Sequence, residues 1–169
     1  MNCKKIILLL VSFLLVMSWA GCANTSIQLQ NALENYSKIV TGDIPQDLKL
    51  TIYYMDPQIL TRIPLSAEDL INASFTQKIV IEHEELLKHL NLFQQLNAPI
   101  LQPVKEKSAI NARLYYVLES TASGKLLEVT VSQIYGTVFV NGIEVEDNPI
   151  FYELIAPFLT EEAHDILGV

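Results

Sequence analysis

An Asn-Gly dipeptide near the carboxyl end of the chain constrains the fold most strongly. Asn141-Gly142 separates two short segments in which apolar and polar residues alternate. Because Asn-Gly favours the two-residue turn whose twist matches paired strands, Val140 should pair with Ile143 and Val138 with Val145. All four residues then share one face of the sheet. The opposite face holds Thr137, Phe139, Glu144 and Glu146.

Apolar periodicity predicts the other elements of an α+β fold. Strands are expected at residues 47–55, 59–65, 77–82, 111–120, 125–133, 135–140 and 143–146. The first two of these should form a hairpin, and the last four should form a meander. Helices are expected at residues 27–40, 66–72 and 83–97, from Pro149, and from Thr160 to Gly168. An antiparallel sheet covered by helices on one face, a two-layer sandwich, satisfies this order of elements.

Three of the predicted helices begin or end at residues that suit helix termini. Ser26 can cap the first helix, and Gly42 lies where that helix should end. Ser66 and Asp69 have the spacing of a capping box. Thr160 precedes two glutamates, which favour the first turn of a helix.

The first 22 residues have the organisation of an export signal. Lys4 and Lys5 precede an uncharged run of fifteen residues, 6–20. A helix of that length spans ~22 Å, whereas the hydrocarbon core of a bilayer is ~30 Å thick. The run is therefore too short for a membrane span and has the length of a signal-peptide apolar region.

The end of this run, Ala20-Gly21-Cys22, resembles the lipobox of bacterial lipoprotein signal peptides, although Trp19 stands where that family prefers Leu. The resemblance implies cleavage between Gly21 and Cys22 and acylation of Cys22, which becomes the mature amino terminus. Residues 1–21 are then removed, residues 22–25 form a lipidated tether, and residues 26–169 form a single α+β domain. An ordinary secretory signal followed by an accidental cysteine is the alternative.

The cysteines fit an exported, lipid-anchored protein. Cys3 and Cys22 are the only two in the chain. Cys3 would leave with the signal and Cys22 would carry lipid, so the mature domain would have neither a free thiol nor a disulfide. This excludes disulfide catalysis and thiolate–metal sites. Two acyl chains would anchor the protein stably on the outer side of the cytoplasmic membrane.

The charge of the chain argues against nucleic acid as a partner. The chain has 11 basic and 19 acidic residues and a net charge of −8, and loss of Lys4 and Lys5 changes this to −10. An acidic domain repels phosphate backbones. It also repels anionic headgroups, so the lipid on Cys22 must hold the protein at the membrane.

No recognisable catalytic, cofactor or metal motif follows the signal. Glu85 and His89 are four residues apart on a predicted helix, but two ligands are too few for a metal site. We therefore expect no metal and no cofactor. The only candidates for acid–base chemistry are the carboxylate pairs Glu84/Glu85, Glu144/Glu146 and Glu161/Glu162. Glu161 and Glu162 favour a helix start on their own account, and Glu144 and Glu146 lie on the outer face of a predicted strand.

Aromatic residues provide the one candidate binding surface. Tyr53, Tyr115 and Phe139 could form a patch on the open face of the sheet. The alternative is that these side chains simply cover the sheet or meet a helix.

The expected function is that of a non-enzymatic lipoprotein that binds a protein, a peptide or a small molecule outside the cytoplasm. Two alternatives remain: an envelope hydrolase whose site forms only in three dimensions, and an accessory subunit whose sheet edge docks on a membrane complex. The run QKIVIEHEELLKHL and the closing meander also resemble small lipoproteins of Gram-positive bacteria, a resemblance that implies no activity.

Overall fold

The computed structural model describes residues 25–104, 108–132 and 136–168. The predicted signal peptide, the predicted cleavage site at Gly21 and the predicted lipidation site at Cys22 lie outside these residues. Within the described part of the chain, no helix has the length and apolar character needed to cross a bilayer.

One antiparallel sheet of six strands forms the centre of the fold. Its strands are β1 (Lys49–Tyr54), β2 (Gln77–Ile81), β3 (Ala112–Ser120), β4 (Gly124–Ser132), β5 (Thr137–Val140) and β6 (Ile143–Val145). They lie in the spatial order β2-β1-β3-β4-β5-β6. The last four strands, β3 to β6, therefore lie side by side in chain order, as expected for a meander.

Helices complete the α+β fold, which is confirmed. The first, α1, covers residues 25–41. The others are α2 (Ala67–Asn72), α3 (His83–Lys88), α4 (Leu90–Gln95), α5 (Ile150–Glu153) and α6 (Glu161–Leu167). Two short 3-10 helices, Ala98–Ile100 and Ala156–Phe158, follow α4 and α5.

The hairpin predicted at Asn141-Gly142 has the expected register, with Val140 opposite Ile143 and Val138 opposite Val145. Asn141 and Gly142 have φ angles of 48° and 79°, the left-handed values that this turn requires. The Asn141 side chain also accepts a hydrogen bond from the Glu128 amide (2.7 Å) and donates one to the Ala32 carbonyl (2.8 Å). The turn therefore also joins the sheet to α1.

The larger core lies between the sheet and most of the helices. Side chains of α1, α3, α4, α5 and α6 pack there against the strands, and they include Leu33, Leu86, Phe93, Phe151 and Ala163. The other face carries a smaller apolar cluster beneath α2, formed by Met55, Leu65, Leu70, Ala112, Tyr115 and Val117. Helices therefore cover mainly one face, and α2 is the helix whose buried side chain joins the opposite cluster.

The predicted strand at residues 59–65 is wrong, and so is the hairpin with β1. β1 instead pairs with β2 and β3. The carbonyl of Leu65 accepts a hydrogen bond from Ala112 (2.8 Å), and its amide donates to Asn111 Oδ1 (3.2 Å). These bonds hold Leu65 within the smaller cluster. Pro64, which cannot donate to a sheet ladder, disfavours a strand in this segment.

The predicted helix at residues 83–97 is interrupted at His89, which has φ −119° and ψ 14°. The His89 ring meets the edge of Phe158 at 5.2 Å, and the Phe93 carbonyl in α4 accepts a hydrogen bond from the Tyr36 hydroxyl (2.6 Å). Both contacts come from residues distant in sequence, so local periodicity could not indicate them.

The predictions for helix ends are mostly confirmed. Ser66 and Asp69 form the capping box of α2, and the Thr160 hydroxyl caps α6. Pro149 directly precedes α5, and Gly42 directly follows α1. The prediction for Ser26 is wrong: it lies inside α1, since the helix already includes residue 25.

Candidate functional site

The three predicted aromatic residues lie in one row across the sheet. Tyr53 is opposite Tyr115, Tyr115 is opposite Thr130, and Thr130 is opposite Phe139. Tyr115 and Phe139 are only 3% and 6% exposed, whereas Tyr53 is half-buried. The row therefore offers little aromatic surface to a ligand.

Tyr115 instead belongs to a polar and aromatic network within the sheet. Its ring lies 6.0 Å from that of Tyr53, and its hydroxyl donates to Glu128 Oε1 at 2.6 Å. Burial, together with the Glu128 carboxylate, raises the pKa of the Tyr115 hydroxyl. The Lys78 ammonium lies 5.3 Å from the Tyr53 ring centre. These contacts explain the two tyrosines as structural residues.

A more suitable site is a cavity of about 620 Å³ at one end of the sheet. It lies where β4 ends and where β3 and β5 begin, and residues of α5 and of the end of α6 form part of its wall. Its apolar lining includes Leu114, Val131, Pro149, Ala156 and Leu167. Its polar lining is provided by Arg113, Ser132, Asp147, Tyr152 and Glu153. Apolar walls with a few polar groups are typical of small-molecule sites.

An irregularity in the sheet positions Arg113 at this cavity. Ala112 is opposite Ser132 and Leu114 is opposite Val131, so Arg113 has no residue opposite it on β4. Such a bulge changes the direction of a side chain relative to a regular strand. Arg113 is only 5% exposed.

Among the residues that the structure describes, Arg113 has only neutral hydrogen-bond partners. Nη1 donates to Asn111 Oδ1 (2.9 Å) and to the Ala112 carbonyl (3.1 Å), and Nη2 reaches the Thr61 hydroxyl at 3.5 Å. The ion pairs among the described residues include none with Arg113. Burial accordingly lowers the pKa of its guanidinium. A buried cation without a counter-ion is costly, so its presence at a cavity points to a function.

One edge of the guanidinium is largely unused. The buried Nε of Arg113 has no hydrogen-bond partner in the described part of the chain. Nε and Nη2 lie on the same edge of the guanidinium, which is one of the edges that can hold a carboxylate by two parallel hydrogen bonds. Nε lies beneath the surface, so a ligand would require the guanidinium to turn toward the cavity. That turn would break the 3.5 Å contact with Thr61.

Two carboxylates belong to the same cavity. A Cβ atom at Gly136, which has φ 70°, would lie 2.9 Å from Asp147 Oδ2, so glycine allows Asp147 its position. Burial, and then the charge of Asp147, raises the pKa of the Tyr152 hydroxyl. Asp147 and Glu153 are both exposed residues.

The histidines do not form a metal centre within the residues that the structure describes, where no group of three or more potential ligands is close enough to hold an ion. His89 Nε2 lies 3.9 Å from Glu85 Oε1, and Lys88 also pairs with Glu85. This is the pair of potential ligands predicted from the spacing, and it lies on the surface.

Sequence reasoning missed Arg113 as a site residue. One signal was present: Arg113 is a charged residue within the apolar β3 sequence ARLYYVLES. The bulge and the cavity gave no comparable signal, because both depend on strands and helices distant in sequence.

Comparison of the chain with protein-family models, curated proteins and solved structures gives no match. A function can therefore be inferred only from the residues of the chain and from the chemistry of the cavity.

Proposed function

We propose that the protein is a lipid-anchored, extracytoplasmic binding protein that holds a small ligand by a carboxylate group at Arg113. The observation that carries this proposal is the buried Arg113 guanidinium, which has neutral partners, an unused edge and a place in the wall of the cavity. The membrane anchor is inferred from the resemblance at Ala20-Gly21-Cys22.

The chemistry of the cavity suits recognition of an anion. A guanidinium binds a carboxylate through two charge-assisted hydrogen bonds, which are stronger than neutral ones. The low dielectric around a buried cation strengthens this attraction. The apolar lining could then cover the remainder of the ligand, which favours a small organic acid over an inorganic ion.

The proposed role is binding and not hydrolysis. A glycosidase-like site needs one carboxylic acid in an apolar enclosure and a second carboxylate nearby. Asp147 and Glu153 are the two carboxylates of the cavity, and both are on exposed residues. Arginine stays protonated and is therefore suited to hold a charge, whereas general acid–base catalysis requires proton transfer.

Thermal unfolding of the full-length protein in detergent tests the binding role. The probes are succinate, glutarate and the common α-amino acids, each with its amide as the uncharged control. A carboxylate present at 100 times its Kd should raise Tm by about 5–10 °C, because it binds only the folded state. The amide should have little effect, because it cannot supply the negative charge. Absence of a shift with every carboxylate, or equal shifts with the amides, would contradict the proposal.

The lipid anchor is tested by Cys22→Ser in the bacterial host. The variant should keep its leader and lack acyl chains in its mass spectrum, because serine has no thiol to acylate. Its processing should therefore differ from that of the wild type. Cys3→Ser is the matched control and should be processed normally. Equal processing and equal membrane association of the Cys22→Ser variant would contradict the anchor without affecting the ligand experiment.

A further inference from the structure

β2 is an edge strand whose outer side has no partner in the described part of the chain. It pairs with β1 alone. The opposite edge of the sheet differs, because residues 102–104 run beside β6 and exchange backbone hydrogen bonds with Glu144 and Glu146. An open edge exposes unpaired backbone N–H and C=O groups to another strand.

Exposed apolar side chains lie on β2 and in the segments that precede and follow it in the chain. Val80 on β2 is 45% exposed, and Phe75, just before the strand, is 40% exposed. Ile71 on α2 and Leu87 on α3 are 37% and 42% exposed. Together with the open backbone, these side chains are typical of an interface between chains.

The β2 edge is complementary to itself. Lys78, Val80 and Glu82 are all exposed, and their alternate spacing places them on one face of the sheet. Glu82 continues the extended backbone beyond β2, with φ −85° and ψ 165°. If two β2 strands pair antiparallel about Val80, each Lys78 lies opposite Glu82 of the second copy. Ile79 then lies opposite Ile81 on the other face.

We propose that two copies of the chain associate through their β2 edges, joining two six-stranded sheets into one continuous sheet. Backbone hydrogen bonds and the apolar residues supply most of the attraction, because exposed ion pairs contribute little by themselves. The Lys78–Glu82 pairs select the register. Pairing about Ile79 would place each Lys78 opposite Val80, so a shift of the axis by one residue loses both ion pairs.

A second copy fits this edge better than an unrelated extended peptide, because one short segment supplies both members of each charged pair. A two-fold interface requires this kind of self-complementarity.

Charge reversal tests the register. Sedimentation of the full-length protein in detergent should show a dimer that Lys78→Glu and Glu82→Lys each weaken about tenfold or more, because each creates two repulsive pairs across the axis. The double variant K78E/E82K should restore dimerisation, since it restores both attractive pairs in reversed order. Lys38→Glu and Glu34→Lys make the same charge changes on the exposed face of α1 and should have little effect.

Cross-linking tests the axis independently. Directly opposite residues of antiparallel strands have Cα atoms about 4.5–5.5 Å apart, which is within the range for a disulfide. Val80→Cys should therefore give a covalent dimer under mild oxidation. Leu60→Cys, at a residue that is 89% exposed and distant from β2 in sequence, should give no more covalent dimer than the wild-type chain. The proposal would be overturned if the wild type is a monomer at about 100 μM. It would also be overturned if the double variant K78E/E82K is folded by circular dichroism but does not dimerise.

Discussion

Replacement of Tyr116 by alanine is expected to lower the free energy of unfolding by about 3–5 kcal/mol. Tyr116 lies in the central strand β3, its side chain is fully buried, and its hydroxyl donates to the Phe151 carbonyl of α5 at 2.9 Å. The substitution opens a cavity in the larger core and removes the bond that joins the sheet to α5. Since domains are stable by only about 5–15 kcal/mol, much of the total would be lost.

Tyr116→Phe separates the two contributions. It keeps the ring and removes the hydroxyl, which leaves the buried Phe151 carbonyl without this partner. We therefore expect the free energy of unfolding to fall by about 1–2 kcal/mol. Tyr53→Ala is the matched control, because Tyr53 is a half-buried tyrosine on the neighbouring strand. Urea unfolding followed by far-ultraviolet circular dichroism measures all three variants. A loss below about 1 kcal/mol for Tyr116→Ala would show that the core does not depend on this side chain.

Arg113→Met is expected to abolish the response to carboxylates while changing the stability of the free protein by no more than about 1 kcal/mol, or even raising it. Methionine fills a similar volume without the cost of burying an uncompensated charge. It has no positive charge and no hydrogen-bond donor for a carboxylate. Loss of a charged partner from a buried interaction typically costs about 2–5 kcal/mol of binding free energy, so affinity should fall at least about thirtyfold.

The two effects of Arg113→Met distinguish a binding role from a structural one. If Arg113 mainly holds Thr61, Asn111 and the Ala112 carbonyl in place, the variant should unfold more easily with or without ligand. If it binds the ligand, stability without ligand should be kept and the ligand-induced rise in Tm should disappear. Arg113→Lys retains the charge but not the paired donors, and should keep only part of the response. Arg62→Met, at the exposed second arginine, is the matched control.

The position of Arg113 in the fold explains why Arg113→Met should lose ligand binding and still be stable. Proteins commonly retain unfavourable groups where function needs them. Here the unfavourable group is a cation that β3 buries at the start of the strand, with a bulge in place of regular pairing. A carboxylate ligand would supply a counter-charge that the described residues do not provide.

Local chemistry determined those features that could be predicted from the sequence. Asn141-Gly142 specified the register of β5 and β6, because few residue pairs accept two consecutive left-handed conformations. Ser66 with Asp69, and Thr160, specified helix starts because their side chains bond to nearby backbone amides. Alternation in β1, β3 and β5 placed Tyr53, Tyr115 and Phe139 on one face, since side chains alternate along every strand.

Only the tertiary structure decided which distant segments meet. β1 pairs with β2 in place of the nearer segment 59–65, and α3 and α4 are separate helices where His89 contacts Phe158. The aromatic row is largely buried, and the cavity at Arg113 is built from the sheet end, α5 and α6. Burial and cavities arise from segments far apart in the chain. Periodicity therefore indicates which face a side chain occupies. Packing decides whether that face is covered and where, among the described residues, a charge is buried without a counter-ion.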